Sequence, residues 1–148
     1  MRDNLASLME QARQSKNFDA VLSAVPYASL LGVQMEENAE GLLFTLPFQE
    51  KNIGNVALPA IHGGVIGGFM ENAALLHLIW CLESDTLPKV IDFSLDYIRP
   101  GRPQTLFAAC RVTKQGKRIA NVQIESWQAD RNKPVAVARS HFKVTTAQ

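Results

Sequence analysis

Features that would indicate a secreted, metal-binding or nucleic-acid-binding protein are scarce in this 148-residue sequence. Its two cysteines, Cys81 and Cys110, fit no disulfide or metal-binding spacing, so we expect two buried, reduced thiols. The formal net charge is +1 and like charges form no block, which gives no electrostatic reason to expect a nucleic-acid or membrane partner. No apolar segment follows the mixed charges of Met1–Asn4, so we expect no signal peptide and a cytoplasmic protein.

Several catalytic signatures are missing as well. The three histidines, His62, His77 and His141, are too scattered for a metal motif, and no cysteine pair accompanies them. No Gly-x-Ser-x-Gly sequence supports a serine triad. We therefore expect neither a metal ion nor a cofactor. We expect His62 to shape a turn and His77 to be a structural histidine with satisfied hydrogen bonds.

The chain has the composition of an ordinary globular protein, with 47% hydrophobic and 20% charged residues. Its length favours a single domain over residues 1–148, in which residues 1–30 form a helical N-terminal extension.

The longest apolar segment, Gly63–Leu82, is long enough to cross a membrane. Glu71, Asn72 and His77 interrupt it, and an ionisable group near its centre would be costly in lipid. The pattern favours a buried helix of a soluble protein.

Hydrophobic periodicity predicts helices early and in the middle of the chain, and strands elsewhere. The predicted helices are a first one ending near Lys16, then 19–24, a short piece within 26–32, and 63–82. The predicted strands are 34–37, 42–48, 90–98, 105–113, 118–129 and 135–145, with 50–59 as a loop. Short turns between the last four strands favour an antiparallel meander.

These elements predict an α+β fold in which a curved antiparallel sheet wraps around one long helix. One helix cannot cover both faces of six strands. We therefore expect the outer surface or the sheet edge to pair with a second copy of the chain.

The start of the long helix is rich in glycine. Gly63 and Gly64 have no side chains to shield the first helical N–H groups, which lack partners within the helix and lie at its positive end. Donors placed there could stabilise an oxyanion, by about 3–4 kcal/mol each. The alternative is a tight, closely packed turn without chemistry. We expect Gly67 and Gly68, inside the helix, to serve close packing only.

Glu71 is unusual because it lies among apolar residues of the same helix. A desolvated carboxylate is costly unless it is paired or functional, and burial would suit it to general-base chemistry. The alternative is a structural ion pair with Arg99 or Arg118. Eight residues separate Gly63 from Glu71, about 12 Å along a helix. If both act on one carbonyl, the site must be shared between two chains.

The sequence His62-Gly63-Gly64 followed by Glu71 resembles the hotdog-fold acyl-CoA thioesterases, in the branch that includes the phenylacetate-degradation enzymes. Ile91–Gly101 is similar to the family's D-x-x-x-D-Y-x-R-P strand, and Lys114–Lys117 also resembles it. Together the similarity spans about residues 40–145.

The resemblance implies hydrolysis of an acyl-CoA thioester, with coenzyme A as part of the substrate and a homodimer or dimer of dimers as the assembly. Glu71 would act as nucleophile or as base for water, and the Gly63 N–H of the opposite subunit would polarise the carbonyl. Asn55 is the nearest match to an amide residue that family members carry before the histidine. Leu75 and Val90 occupy places where the family has a hydroxyl, so this hydroxyl is missing.

The remaining candidates concern substrate binding. They are His62, Asn55, Asn72, Val65, Phe69, Phe93, Lys117 and Arg118. The apolar ones would line an acyl slot between helix and sheet, and the two basic ones would meet the phosphates of coenzyme A or simply form a solvated turn. Asn72 would line the pocket or bond across the dimer. Tyr97 and Arg99 are candidates for the pocket rim.

Two other functions fit the same pattern. A hotdog scaffold also supports dehydration of a hydroxyacyl chain by a histidine and an acidic residue, although the Gly-Gly pair after His62 fits thioesterases better. The missing hydroxyl at Leu75 and Val90 leaves room for a non-catalytic acyl-CoA or lipid-binding protein.

Overall fold

The computed structural model describes residues 2–82 and 87–144, and this part of the chain contains four α-helices and eight β-strands. The helices are α1 (Arg2–Ser15), α2 (Asp19–Ser23), α3 (Pro26–Leu31) and α4 (Gly63–Leu82). The strands are β1 (Gln34–Asn38), β2 (Gly41–Leu46), β3 (Ile53–Asn55), β4 (Ala60–Ile61), β5 (Lys89–Tyr97), β6 (Leu106–Gln115), β7 (Ile119–Trp127) and β8 (Ala136–Lys143). The predicted end of the last strand, at residue 145, lies outside the described residues.

Six strands form one antiparallel sheet in the order β1-β2-β6-β7-β8-β5. The predicted four-stranded meander is wrong at its first strand, because β5 pairs with β8 and not with β6. The connection between β5 and β6 contains Pro100 and Pro103, and the Gly101 carbonyl in it accepts a hydrogen bond from the Ile61 N–H at 2.8 Å. The chain does not turn back along β5 after this connection, and β5 lies at an edge of the sheet.

The segment 50–59, predicted as a loop, contains more regular structure than expected. Glu50–Asn52 forms one 3-10 turn, and β3 pairs with β4 in a small second sheet. The sequence pattern missed this hairpin because strands of three and two residues show no alternation of apolar and polar positions.

Helix α4 is the core of the domain, as predicted. Its buried side chains are Ile66, Phe69, Met70, Ala73, Ala74, Leu76, Leu78 and Ile79. It contacts β2, β5, β6, β7 and β8 of the surrounding sheet, and α1 and α3 from the N-terminal extension. In length and composition α4 could cross a membrane, but half of its most apolar window is buried inside the fold.

Arg13 of α1 ties the N-terminal extension to the end of α4. Its guanidinium donates hydrogen bonds of 3.0–3.1 Å to the carbonyls of Ile79 and Trp80. The last carbonyls of a helix lack partners within the helix and carry its negative dipole end, so a cation there is favourable. The extension is therefore part of the domain's packing.

Two expectations about single side chains are wrong. Cys81 is exposed, at the C-terminal end of α4 where the sheet no longer covers the helix. His77 is structural, as predicted, but its Nδ1 atom is buried without a hydrogen-bond partner among the described residues. Its ring lies beside that of Trp80, with centroids 6.2 Å apart, in surroundings that offer contacts but no acceptor.

We predict that His77 makes the domain less stable in acid. Burial lowers the pKa of His77 from 6.5 to about 4. Between these pH values the unfolded chain binds a proton that the folded chain does not, so the free energy of unfolding falls as pH decreases, by up to about 3 kcal/mol. Urea unfolding between pH 7 and 4 should show this loss in the wild type and in His141→Gln, and a smaller loss in His77→Gln. Parallel curves for wild type and His77→Gln would contradict the prediction.

Candidate active site

Helix α4 begins directly after His62, which caps it with both its backbone and its side chain. The His62 carbonyl accepts the N–H groups of Val65 and Ile66 at 3.0 and 3.2 Å. The Gly64 N–H donates to Nδ1 of the His62 ring at 2.9 Å, which fixes the neutral ring with its proton on Nε2. His62 therefore shapes the turn, as its sequence position predicted.

The β3–β4 hairpin holds this cap in place. The His62 N–H donates to the carbonyl of the buried Asn52 at 2.8 Å. Gly54 lies so close that a Cβ atom there would be 2.8 Å from the Cα and Cβ atoms of His62. The hairpin that the sequence pattern missed thus sets the geometry of the helix start.

The two glycines that follow His62 differ in what their N–H groups do. The Gly64 N–H is taken by the His62 ring. The Gly63 N–H has no acceptor within residues 2–82 and 87–144. Gly63 is the first residue of α4, so this free donor lies at the positive end of the helix dipole. Of the two predicted donors, Gly63 is the one available to a ligand.

Tyr97, a candidate for the pocket rim, directly contacts the helix start. Its hydroxyl donates to the Gly63 carbonyl at 2.7 Å. A Cβ atom on Gly63 would lie 3.0 Å from the Tyr97 oxygen. The alternation of β5 places Tyr97 on the same side as Phe93 and Leu95, toward α4, but it could not reveal this hydrogen bond.

Glu71 lies two helical turns after Gly63 and is half-buried. In the described part of the chain its carboxylate forms no hydrogen bond or salt bridge. Arg99, one of the two arginines considered as partners, instead donates to the Pro134 carbonyl at 2.6 Å. The structural ion pair is thus not formed with either Arg99 or Arg118.

The apolar candidates occupy different environments. Phe69 has no exposed surface and belongs to the core. Val65 on α4 and Phe93 on β5 are half-buried and pack against that core. Only these last two present surface that a ligand could reach in this chain.

The two asparagines both form local hydrogen bonds. The Asn72 amide donates to the Gly68 carbonyl one turn earlier at 2.8 Å. The Asn55 side-chain oxygen accepts the N–H groups of Ala57 and Leu58, which shapes the turn between β3 and β4. Each therefore has a structural role in the single chain.

Lys117 and Arg118 lie in the exposed turn between β6 and β7. The β7 residue that follows them, Ile119, is aligned through β8 with Lys89 at the start of β5. Tyr97 and the helix start lie at the other end of β5, about 26 Å away along the strand. These basic residues cannot reach the Gly63 N–H of their own chain.

The edge strand β5 is unusually apolar for an exposed element. It pairs with β8 on one side only. Ile91 and Tyr97 are 54% and 56% exposed, and Val90 and Ile98 nearly as much. A long, apolar, unpaired edge is a template for pairing with another strand. It borders the face of α4 that carries Gly63.

The outer face of the sheet has a separate, open cavity of about 650 Å³. Polar and charged residues line much of it, including Asp96, Arg111 and Arg139. It lies on the side of the sheet that faces away from α4, so it has no part in the site around Gly63. Among the described residues no group of three metal-ligating side chains occurs.

Several known proteins are similar to this chain in sequence or fold. The medium/long-chain acyl-CoA thioesterase YigI of Escherichia coli K12 is 27% identical over 115 residues, which are 68% of this chain and 74% of YigI. A crystal structure of a Chromobacterium violaceum protein is 54% identical, with a TM-score of 0.79 over 95% of this chain and 98% of that one. A phenylacetic acid degradation-related protein from Ralstonia eutropha JMP134 shares the fold, with 21% identity, 93% and 98% coverage and a TM-score of 0.72.

The family model of the thioesterase superfamily matches residues 58–135, more than half of the chain. The matched region contains the helix start, Glu71 and strands β5 to β7. The curved sheet around a central helix is the hotdog architecture expected from the sequence. The chain belongs to the thioesterase superfamily and has the hotdog fold.

Proposed function

We propose that this protein hydrolyses acyl-CoA thioesters to a free acid and coenzyme A, at sites shared between two protomers of a homodimer. The observation that carries the proposal is the free Gly63 N–H at the start of α4, combined with an unpaired Glu71 on the same helix. The likeness to YigI supports acyl-CoA as the substrate class. The superfamily supplies the reaction type, thioester hydrolysis.

The sharing of the site follows from distance. Gly63 and Glu71 are eight residues apart on α4, about 12 Å along the axis, too far to meet at one carbonyl. Two β5 edges pairing antiparallel would place a second α4 beside the first, running the opposite way. Each Gly63 would then face the Glu71 of the partner.

The contacts of β5 also suggest where the two-fold axis lies. Gly67 is midway between Gly63 and Glu71, and the Leu95 side chain would lie 3.4 Å from a Cβ atom placed on Gly67. An axis crossing the paired strands near Leu95 brings the Gly63 of one protomer level with the Glu71 of the other. The absent side chain at Gly67 lets the Leu95 side chain of β5 lie close to α4 at this level.

In the proposed reaction the thioester carbonyl oxygen accepts the Gly63 N–H. Glu71 of the other protomer takes a proton from water as the water oxygen attacks the carbonyl carbon. The resulting oxyanion is stabilised by the Gly63 N–H and the positive helix end. As the oxyanion collapses, the carbon–sulfur bond breaks. The proton that Glu71 held passes to the leaving sulfur, so coenzyme A departs as the thiol.

Glu71 can also attack the carbonyl directly, which gives an acyl-enzyme anhydride that water then cleaves. The two routes differ in where solvent oxygen enters. In a single turnover in ¹⁸O-labelled water, label on the Glu71 carboxylate identifies the direct route, because it enters there when water attacks the Glu71 carbonyl of the anhydride. The route through activated water leaves it only on the acid product.

The substrate would lie across both chains. Val65 and Phe93 offer half-buried apolar surface for the acyl group beside α4. Lys117 and Arg118 are at the end of the sheet where β5 begins, and antiparallel pairing turns that end of the partner toward Gly63. The partner's basic turn, and not the chain's own, is therefore suited to the phosphates of coenzyme A.

The two alternative functions are less well supported. A dehydratase would use a histidine in proton transfer, and Nδ1 of His62 is not free for this because it accepts the Gly64 N–H. A non-catalytic binding protein would need neither a free N–H at Gly63 nor an unpaired Glu71. Wild-type protein that bound acyl-CoA but hydrolysed no thioester in a chain-length panel would favour the binding protein.

We predict that Glu71→Gln lowers kcat for acyl-CoA hydrolysis by about 100-fold or more, because the amide cannot accept a proton or attack the carbonyl. The control is Glu50→Gln, the same change at an exposed site outside the helix. Steady-state kinetics measure both, and light scattering should show the wild-type mass for both variants. Full activity in Glu71→Gln would rule out this mechanism.

We predict that Gly63→Pro lowers kcat by about 100- to 1000-fold, because proline lacks the N–H that binds the oxyanion. Proline is well tolerated at the first position of a helix, so folding should persist. Gly63→Ala is the matched control, since it adds the same Cβ atom near Tyr97 but keeps the N–H. Its loss should be no more than about tenfold. Equal losses in the two variants would show that bulk, and not the donor, matters.

A further inference from the structure

The hydroxyl of Tyr97 is the only side-chain group from the sheet that hydrogen-bonds to the helix start within the described residues. It donates to the Gly63 carbonyl at 2.7 Å. A Cβ atom on Gly63 would lie 3.0 Å from the hydroxyl oxygen and 3.1 Å from Cζ of the ring. The end of the ring therefore rests directly on Gly63, with no space left between them.

The Gly63 carbonyl and the Gly64 N–H belong to the same peptide group. Tyr97 binds its oxygen from the sheet side, and the His62 ring accepts its N–H from the other side. Hydrogen bonds at both ends of one peptide polarise it and fix its plane. The peptide before Gly63 is fixed as well, because the His62 carbonyl accepts the N–H groups of Val65 and Ile66.

Gly63 joins these two peptides: its N–H belongs to the first and its carbonyl, which Tyr97 binds, to the second, so the φ and ψ angles of Gly63 set the direction of one relative to the other. A glycine has more backbone freedom than any other residue, and here it carries the N–H that must aim at the substrate. Without the Tyr97 hydrogen bond, its carbonyl would be held only by the helix. From this geometry we infer that Tyr97 is a positioning residue, which holds Gly63 so that its N–H points at the thioester carbonyl.

This inference rests on the proposed function, since it assigns a task to the same N–H group. It also links the site to the predicted dimer. Tyr97 ends the edge strand β5 and is 56% exposed in the single chain. A partner strand along β5 would cover the exposed side of its ring while its hydroxyl stays on Gly63. Assembly and alignment of the donor would then depend on the same residue.

The test uses Tyr97→Phe, which keeps the ring and removes the hydroxyl. Its kcat should fall about five- to tenfold, the loss expected for one hydrogen bond, with KM unchanged because Tyr97 does not bind the substrate. Tyr27→Phe is the matched control. Tyr27 packs on Gly68 of the same helix, where a Cβ atom would be 2.8 Å from its ring, and no hydrogen bond of its hydroxyl occurs among the described residues. Its kinetics should equal those of the wild type.

A double-mutant cycle tests whether Tyr97 acts through Gly63 and not directly on the substrate or elsewhere in the fold. If Tyr97 acts only through the Gly63 N–H, Tyr97→Phe should cost nothing further in the Gly63→Pro background. An unchanged five- to tenfold loss in that background would overturn the inference, because Tyr97 would then act on the substrate or on the fold. Melting temperature and mass of each variant show whether folding and assembly are intact.

A second variant tests the same hydrogen bond in case Tyr97→Phe does not fold. Gly63→Ala should displace the Tyr97 hydroxyl, so its loss of kcat should match that of Tyr97→Phe, and the two losses should not multiply. Absence of thioester hydrolysis by the wild type would sink the proposed function as a whole. If Tyr97→Phe kept wild-type activity while Gly63→Pro lost most of its activity, only the role of Tyr97 would be ruled out.

Discussion

The arrangement at the start of α4 depends on one capping interaction, in which the His62 ring accepts the Gly64 N–H. A helix start has several N–H groups without partners inside the helix, and any of them could bind a ligand. The His62 cap uses one of these donors and leaves the Gly63 N–H unbound. Without this cap, several N–H groups at the positive end of the helix could bind a ligand; with it, the Gly63 N–H is the donor that remains.

The surrounding fold serves to hold that donor and to expose it on one side. The 3-10 turn fixes His62 through the Asn52 carbonyl, and the β3–β4 hairpin does so through the close approach at Gly54. Strand β5 supplies Tyr97 from the other side. Arg13 binds the carbonyls at the far end of α4, so both ends of the helix are capped by side chains. The unpaired edge of β5 remains as the surface on which a second chain would complete the site.

Much of this could be predicted from the sequence because it depends on local patterns. The helix Gly63–Leu82 follows from a long apolar segment, and its central place follows from the sheet needed to cover it. Gly63 and Glu71 are candidates because glycines at a helix start leave its N–H groups unshielded, and because a carboxylate among apolar residues is costly unless it is paired or functional.

Other features could not be predicted because they depend on contacts between distant parts of the chain. The pairing of β5 with β8 joins positions 39 to 54 residues apart, from Tyr97 with Ala136 to Lys89 with Lys143, so the turn at Pro100 does not reveal it. The Gly64 N–H is bound and the Gly63 N–H is not because the rotamer of the His62 ring brings Nδ1 to Gly64. The full burial of Phe69 depends on how the sheet, α1 and α3 pack around α4, which periodicity alone does not fix.

The central claim, that one chain supplies the donor and the other the acid, can be tested by mixing two inactive variants. Glu71→Gln and Gly63→Pro chains, unfolded together and refolded, should form heterodimers in about half of all dimers, each with one intact site of two. We predict that the mixture recovers about a quarter of wild-type activity, and that neither variant refolded alone recovers any. A mixture as inactive as its components, although mass measurements show heterodimers, would contradict it.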